Sequence, residues 1–432
     1  MLLEYREGGL HVEGVPLAGL AERLGTPFFL IGEGRLRANY RALERGFARA
    51  GVAAVLRYCA KTNPEPAVLE TLARCGSHLL ASHAAEVELA IRCGFPPERI
   101  AYARPVLLPE ELDAVLAAGV RWVHAHRAAD LDLLESAAAR AGRRVRVSLR
   151  LRPEGFSLSP LDRLNRRLGL GAGEVLEAAR RLSRSSWIEL AAVNVYLGTQ
   201  QSSLDGFSRA FRRVLALLER IAAETGGAVR EVNLGGGIPS LSLRKVGPRR
   251  LLARWRDLPG SPGGPEKQED LAVRLGRRYR ELAEGARLRE MPTLAAEPGR
   301  AIVGDAALLV SRVHVVEGKW AFLDASRNFL PESPLLFSRR ILPLAEGKPD
   351  RFYHLSGSTL NTLDVLDLRR RLPRLETGDA LAFCDAGAYS ISRASSYAGL
   401  PPAVYLLRED GEVRQVRRAG ATSREETVEV GR

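Results

Sequence analysis

Between about residue 50 and residue 300 the chain alternates two patterns. Short runs of β-branched and apolar residues recur at 52–58, 78–81, 100–103, 122–125, 145–151, 191–196, 231–234 and 293–296. Between them lie stretches with apolar residues at every third or fourth position, as in 66–75, 84–93, 109–118, 128–141 and 204–225. A run that is apolar throughout marks a strand buried on both faces, and a 3.6-residue period marks a helix with one buried stripe. Eight strands, each followed by a helix or a long connection, predict an α/β chain with a (β/α)8 TIM-like barrel. An open doubly wound sheet is the other arrangement the pattern allows.

After about residue 300 the rhythm changes. Runs at 306–317, 319–324, 380–385, 403–408 and 412–417 read as strands with short connections, and Asp410-Gly411 is a hairpin turn signal. This predicts a C-terminal all-β module over 301–432, a barrel over 36–300, and an N-terminal segment, 1–35, that joins the β module. Residues 240–271 are rich in Pro, Gly and Arg, and the later part reads as an exposed, mobile loop.

Composition changes this picture in two places. The 432 residues are 46% hydrophobic and 27% charged, which excludes wholesale disorder and suits a barrel plus a smaller partner. No run is long and apolar enough to span a bilayer, and the N-terminus lacks a signal-peptide core. The net charge is +13, and of 64 basic residues only five are lysines (61, 245, 267, 319, 348), leaving 59 arginines. These arginines are spread along the chain and interleave with Glu and Leu, which reads as a solvated basic surface rather than a nucleic-acid groove. A docking face for an acidic partner is the further reading. Four cysteines (59, 75, 93, 384) form no CxxC pair, so neither a metal site nor a disulfide framework is expected, and a reducing cytoplasm is.

With lysine so rare, Lys61 stands out. It follows a strand in Arg57-Tyr58-Cys59-Ala60-Lys61-Thr62-Asn63, at the strand end where such barrels carry catalytic groups. A lysine with an apolar strand behind it is placed to lose its proton and form an imine with a carbonyl cofactor, although a surface lysine closing a strand is the blander reading. Leu234-Gly235-Gly236-Gly237 follows another strand, and three glycines let backbone N–H groups approach a phosphate, or simply make a tight turn. Glu297-Pro298-Gly299-Arg300 ends a third strand with a carboxylate and a guanidinium, which would hold a pyridine nitrogen protonated or form a structural ion pair. Asp385-Ala386-Gly387-Ala388-Tyr389 allows close backbone packing and offers a phenol to a phosphate.

Taken in order, Y-x-x-K-x-N, G-T-Q, G-G-G, E-P-G-R and D-A-G-A-Y resemble the fold-type III pyridoxal-phosphate decarboxylases, the diaminopimelate/ornithine decarboxylase family, whose barrel is alanine racemase-like. The resemblance implies pyridoxal 5'-phosphate as cofactor and a homodimer with active sites shared at the interface, the DAGAY-side segments coming from the second subunit. It implies that Lys61 carries the cofactor, that Glu297 partners the pyridine nitrogen, and that Thr199, Gly235, Gly236, Gly237, Arg300 and Tyr389 hold the phosphate. Glu86 falls on the family's S-G-G-E glutamate. Arg167 matches the basic residue before the family's F-G, in a segment that also resembles the N-R-L-G of alanine racemases.

The departures concern substrate and proton handling. Where the family has a histidine against the ring, this chain has Tyr196. Aligned on Gly357 and Asp364, the family's cysteine and glutamate become Leu360 and Asn361, leaving Thr359, Tyr196, Lys61 or water to manage the proton. The R-P that grips the distal carboxylate of diaminopimelate falls near Glu332-Ser333, and the aspartate before the glycines becomes Asn233. Asn361, Asp364 and Asn328 are the expected substrate contacts. The expectation is therefore α-decarboxylation of an amino acid or aminoacyl derivative other than diaminopimelate, in specialised metabolism, with an acidic carrier protein as a partner that the basic excess suits. A racemase or epimerase of the same fold, and a non-catalytic relative that binds the cofactor or a partner, are the alternatives.

Overall fold

The computed structural model describes residues 1–153, 167–201, 203–246 and 268–421. Eight parallel strands close into a barrel in chain order: β1 (Ala54–Cys59), β2 (His78–Ala81), β3 (Ile100–Ala103), β4 (Trp122–Ala125), β5 (Val145–Leu151), β6 (Ile188–Val195), β7 (Glu231–Asn233) and β8 (Thr293–Ala296). Closure, with β8 pairing back onto β1, excludes the open doubly wound sheet. Parallel strands need crossover helices, and these cover the barrel's outer face with amphipathic stripes. The longest, Leu204–Thr225, buries Phe207, Phe211, Val214, Leu218 and Ile221 and stops at Gly226, which takes the left-handed backbone that ends helices.

Period-2 alternation sorts the strand residues. In β1, Leu56 and Tyr58 join the main core outside the barrel, whereas Cys59 belongs to a separate interior cluster with Leu80 and Ala101. Arg57, of the same parity as Cys59, makes a buried bidentate pair with Glu231 at 2.8 and 2.9 Å.

The remaining chain builds a nine-stranded sheet and a small sheet of Leu3–Arg6, Gly9–Val12 and Val15–Pro16. At the centre of the large sheet lies Phe28–Gly32, antiparallel to Ala307–Glu317 and parallel to Ala403–Leu407. The hydrophobic pattern alone did not mark it as a strand. All five of its residues are buried, so no alternation announces it. Its two faces nonetheless do different jobs: Phe29 and Ile31 join the barrel's core, while Phe28 and Leu30 join a second core with Met1, Leu10, Leu17 and Leu20. Two further strands, Arg351–Ser356 and Val365–Leu372, also escaped notice. The latter is an edge strand carrying Arg369-Arg370-Arg371, the charged kind of edge that resists pairing with other chains. The Pro/Gly-rich part of 240–271 lies outside the described residues.

Because Phe29 is fully buried where sheet and barrel meet, Phe29→Ala should cost about 3–5 kcal/mol of unfolding free energy. Denaturant unfolding checks this, and a loss below about 1 kcal/mol, the scale of an ordinary surface change, would contradict the central place given to this strand.

Candidate active site

The C-terminal ends of the barrel strands bring Lys61, Tyr196, the three glycines and Glu297 together. Lys61 sits in the 3-10 turn Ala60–Thr62 directly after β1 and is open to solvent. Burial pushes the neighbouring Cys59 thiol up to about 11. The sequence placed Lys61 to lose its proton easily, but its surroundings act the other way. Cys59 first, then Tyr389, Tyr196 and Glu297, raise its pKa and outweigh the lowering by burial.

Glu297, just past β8, is 7% exposed. Its Oε1 accepts a hydrogen bond from Asn233 Nδ2 at 2.8 Å and lies 3.3 Å from His124 Nε2. Burial raises its pKa, against the Asn233 hydrogen bond and the charges of Arg57, Arg150 and Lys61. Its backbone N–H donates to the Gly235 carbonyl at 2.8 Å, and the Gly235 N–H donates to Asn233 Oδ1 at 2.7 Å. The ends of β7 and β8 are thereby tied together. Gly237 requires glycine: its φ is +104°, and a Cβ would strike the Gly198 carbonyl oxygen. Gln200 fastens the loop after β6 to the loop after β7, donating to the Ser240 and Leu243 carbonyls and accepting from the Ser240 N–H. Thr199 is the exposed residue between Gly198 and Gln200.

Tyr196 is half-buried beside the glycines, with the Arg150 guanidinium 5.3 Å from its ring centroid. Burial raises its pKa. The sequence did not single out Arg150. It is half-buried in β5 with no carboxylate in ion-pair range among the described residues, and desolvation lowers its pKa. His124 and His126 at the end of β4 were missed as well, although a polar triplet such as His-Ala-His at a barrel strand's C-terminal end is itself a signal. Arg167, at the first described position after 154–166, is exposed, and its charge helps to lower Arg150. Glu86 accepts from the Ser82 N–H at 2.6 Å at the start of its helix.

The β domain contributes from its own chain. Tyr389 donates its N–H to the Thr62 carbonyl at 2.9 Å, and Asn63 donates to the Gly387 carbonyl at 3.1 Å. The expectation that DAGAY-side segments reach the site from a second subunit therefore does not hold for Tyr389. Left-handed backbone at Asp385 and Tyr389 turns the segment onto its own barrel. Arg300 stacks 4.8 Å from the Tyr389 ring and donates to Glu332 at 2.9 Å, and the other Glu332 oxygen accepts from Arg339 at 2.9 Å.

The loop 357–364 is organised around one carboxylate. Asp364 is buried, and its two oxygens accept from the Arg327 N–H, the Thr359 N–H and the Thr359 hydroxyl. The Thr359 hydroxyl and the Asp364 carboxylate, expected at catalysis and substrate, bond to each other and hold the loop. Asn361 caps the Leu363 N–H, while Asn328 donates to the Tyr397 carbonyl. The loop presents Leu360 fully exposed and Leu363 at 74%.

Buried polar atoms without hydrogen-bond partners collect at the mouth: His126 Nδ1, Asn194 Nδ2, Arg150 Nε and Arg300 Nε. Burial pushes His126 down to about 3, helped by Arg150, His124, Arg127 and Lys61. An unfolded histidine titrates at 6.5, so unfolding takes up a proton between these values and stability falls as pH falls through that window. His126→Gln removes this uptake. Between about pH 6 and pH 4 its stability should decline less steeply than wild type, by up to about 1.4 kcal/mol per pH unit. Denaturant unfolding of both proteins across that range checks it, and parallel profiles would show that His126 takes up its proton in the folded state.

Residues 33–304 match the family model described as "Pyridoxal-dependent decarboxylase, pyridoxal binding domain". The chain is 29% identical over 425 residues to the diaminopimelate decarboxylase of Pseudomonas aeruginosa, covering 96% of this chain and 95% of that one. It is 25% identical over 427 residues to that of Aquifex aeolicus, covering 96% and 94%. Among solved structures, diaminopimelate decarboxylase of M. jannaschii in complex with L-lysine superposes with a TM-score of 0.85 at 23% identity, covering 96% of this chain and 95% of that one. Lysine/ornithine decarboxylase of Vibrio vulnificus with cadaverine superposes at 0.73 and 20%, covering 91% and 97%, which again speaks for the fold. The chain belongs to the pyridoxal-dependent decarboxylases: it is a pyridoxal-phosphate-dependent carboxy-lyase of the amino-acid-decarboxylating family.

Proposed function

We propose that the chain removes the α-carboxylate of an amino acid or aminoacyl derivative other than diaminopimelate, as a homodimer. The observation that carries this is Glu332. A carboxylate stands near the place where the family's distal-carboxylate arginine falls, and it is locked between Arg300 and Arg339. Two guanidiniums hold its pKa below the ordinary carboxylate range despite burial. Where the family offers a guanidinium to a distal carboxylate, this chain offers a carboxylate that already occupies Arg300 and Arg339.

The mouth fits a pyridoxal phosphate. Its unpartnered buried polar atoms and its glycine-lined loop leave donors and space where a polar group belongs. Lys61 would carry the cofactor. Gly235, Gly236, Gly237, Thr199, Arg300 and Tyr389 would hold its phosphate, and Glu297 its ring nitrogen. When bound, it supplies an electron sink for the pair left as the bond from Cα to the carboxylate breaks. Around it, Asn233 and Arg150 keep Glu297 able to bear a negative charge. Tyr196 covers one side of the mouth under Arg150. The Thr359 hydroxyl is bound to Asp364, so Lys61, with its raised pKa, is the group with a proton to return to Cα.

Lys61→Ala should abolish carbon dioxide release and the cofactor's visible absorption band. A variant that keeps both would sink the reading of the site. A release screen over L- and D-amino acids, free and carrier-bound, with diaminopimelate included, identifies the substrate. Brisk turnover of diaminopimelate would refute the substrate proposal, and exchange at Cα without gas release would favour a racemase.

The rigid loop carrying Leu360 and Leu363 supports the dimer, since large exposed leucines on a well-bonded loop call for cover. A second copy brings a matching loop to the interface. Leu360→Asp should shift the protein towards monomer in sedimentation and lower activity with it. An unchanged dimer would remove this loop from the interface.

A further inference from the structure

At the opposite, N-terminal end of the barrel strands lies a cavity of about 490 Å³. This is within the size range of small-molecule sites. His78, Trp122 and Glu231 are the first residues of β2, β4 and β7, so the cavity opens at the barrel's far mouth from Lys61.

Its charge is uneven. At the floor the Arg57–Glu231 pair is self-neutralising, with the Arg57 guanidinium 4.5 Å from the Trp122 ring centroid. At the rim Arg144 and Arg146 share one carboxylate, Glu189, at 3.6 and 3.4 Å. Arg99 and Arg230 have no carboxylate in ion-pair range among the described residues, and Arg99 makes only a 3.4 Å contact to the Gly76 carbonyl. His78, on the cavity wall, is pushed down to about 4, by burial first and then by Arg57 and Arg99, so it answers as a neutral group in a positive field. The Trp122 Nε1–H is buried without an acceptor. Ile100, Leu190 and Val229 give the wall an apolar stretch, beside Glu98, Ser183, Thr225 and Thr293. A merely solvated basic rim needs neither an apolar stretch of wall nor a stranded indole donor.

We propose that this far mouth is a second binding site, separate from the catalytic one, for a small organic anion bearing carboxylate or phosphate groups. Its anionic end meets Arg99 and Arg230, an acceptor oxygen satisfies the Trp122 indole, and its carbon body lies on the apolar stretch of wall. The site explains part of an arginine excess that catalysis leaves unused.

The test uses the full chain saturated with pyridoxal phosphate, so that phosphate groups at the catalytic end are already in place. Citrate and inorganic phosphate are titrated separately, with ionic strength held constant by sodium chloride. Thermal midpoint and tryptophan fluorescence are followed. At least one anion should raise the midpoint saturably, with half-saturation at about 1 mM or tighter, and citrate or phosphate prevailing tells carboxylate from phosphate preference. The double variant Arg99→Ser/Arg230→Ser should weaken binding by at least about tenfold, while Arg408→Ser, in the β domain, leaves it unchanged. Trp122→Phe should remove the fluorescence response and keep the thermal one. No saturable shift with either anion, or equal binding by wild type and the double variant, overturns the proposal.

Discussion

A carboxylate that must stay in a buried barrel mouth without an ion-pair partner governs the catalytic end of this molecule. Removing Glu297 from water is costly, and what offsets the cost is one amide donor, Asn233, and the field of cations that do not touch it. Everything near it follows. The glycine loop is short and bonded to Glu297 through the backbone, His124 is kept neutral, and Arg150 is left without a carboxylate of its own. The other end of the barrel solves the same problem in the opposite way, with Glu231 fully paired to Arg57. One barrel therefore holds one of its inner carboxylates in a closed ion pair and the other by an amide and distant charges.

The barrel was legible because parallel strands are buried on both faces and read as short apolar runs. β2, β3, β4, β5 and β8 begin and end where the hydrophobic pattern puts them. The β domain was less so. Phe28–Gly32 is too short and too uniformly apolar to be told from a core helix turn, and Val365–Leu372 hides behind three consecutive arginines. At the site, motifs drew the eye to residues at loop starts, such as Lys61, the glycines and Glu297, which the fold brings together. Arg150 and His124 lie inside strands and His126 directly after one, where a polar residue gives no sign of facing the barrel's axis until the register is known. The bond between Thr359 and Asp364 is of another kind: sequence cannot say that two polar side chains will meet each other.

The pattern of change between this chain and the family motifs is uneven in a physically readable way. Groups that would hold the cofactor sit on barrel strands and on loops tied to each other, where a new side chain meets backbone within van der Waals contact. The segments where the motifs depart from the family's substrate-side residues lie on the β domain, on loops such as 357–364 that carry exposed leucines. Such loops accept new residues without disturbing the core. Binding a different side chain is therefore reachable by surface substitution, whereas altering the electron sink is not.

The strand Phe28–Gly32 also fixes how the molecule is assembled. It lies between Ala307–Glu317 and Ala403–Leu407, so the chain starts the β domain, leaves to make the entire barrel, and returns to finish. The points of departure and return are clasped: Arg35 and Asn39 both bond to Asp305, at 2.5 and 2.6 Å, and the Met1 ammonium bonds to the Asp305 carbonyl at 2.8 Å. The barrel is in effect a long insertion whose two ends are neighbours. The β sheet pairs residues about 280 and 375 positions apart, so its closure carries the entropy of a loop as long as the barrel. The same adjacency makes the barrel a cassette: exchanged at its clasped ends, it could be replaced by a related barrel while the sheet that frames the active site stays as it is.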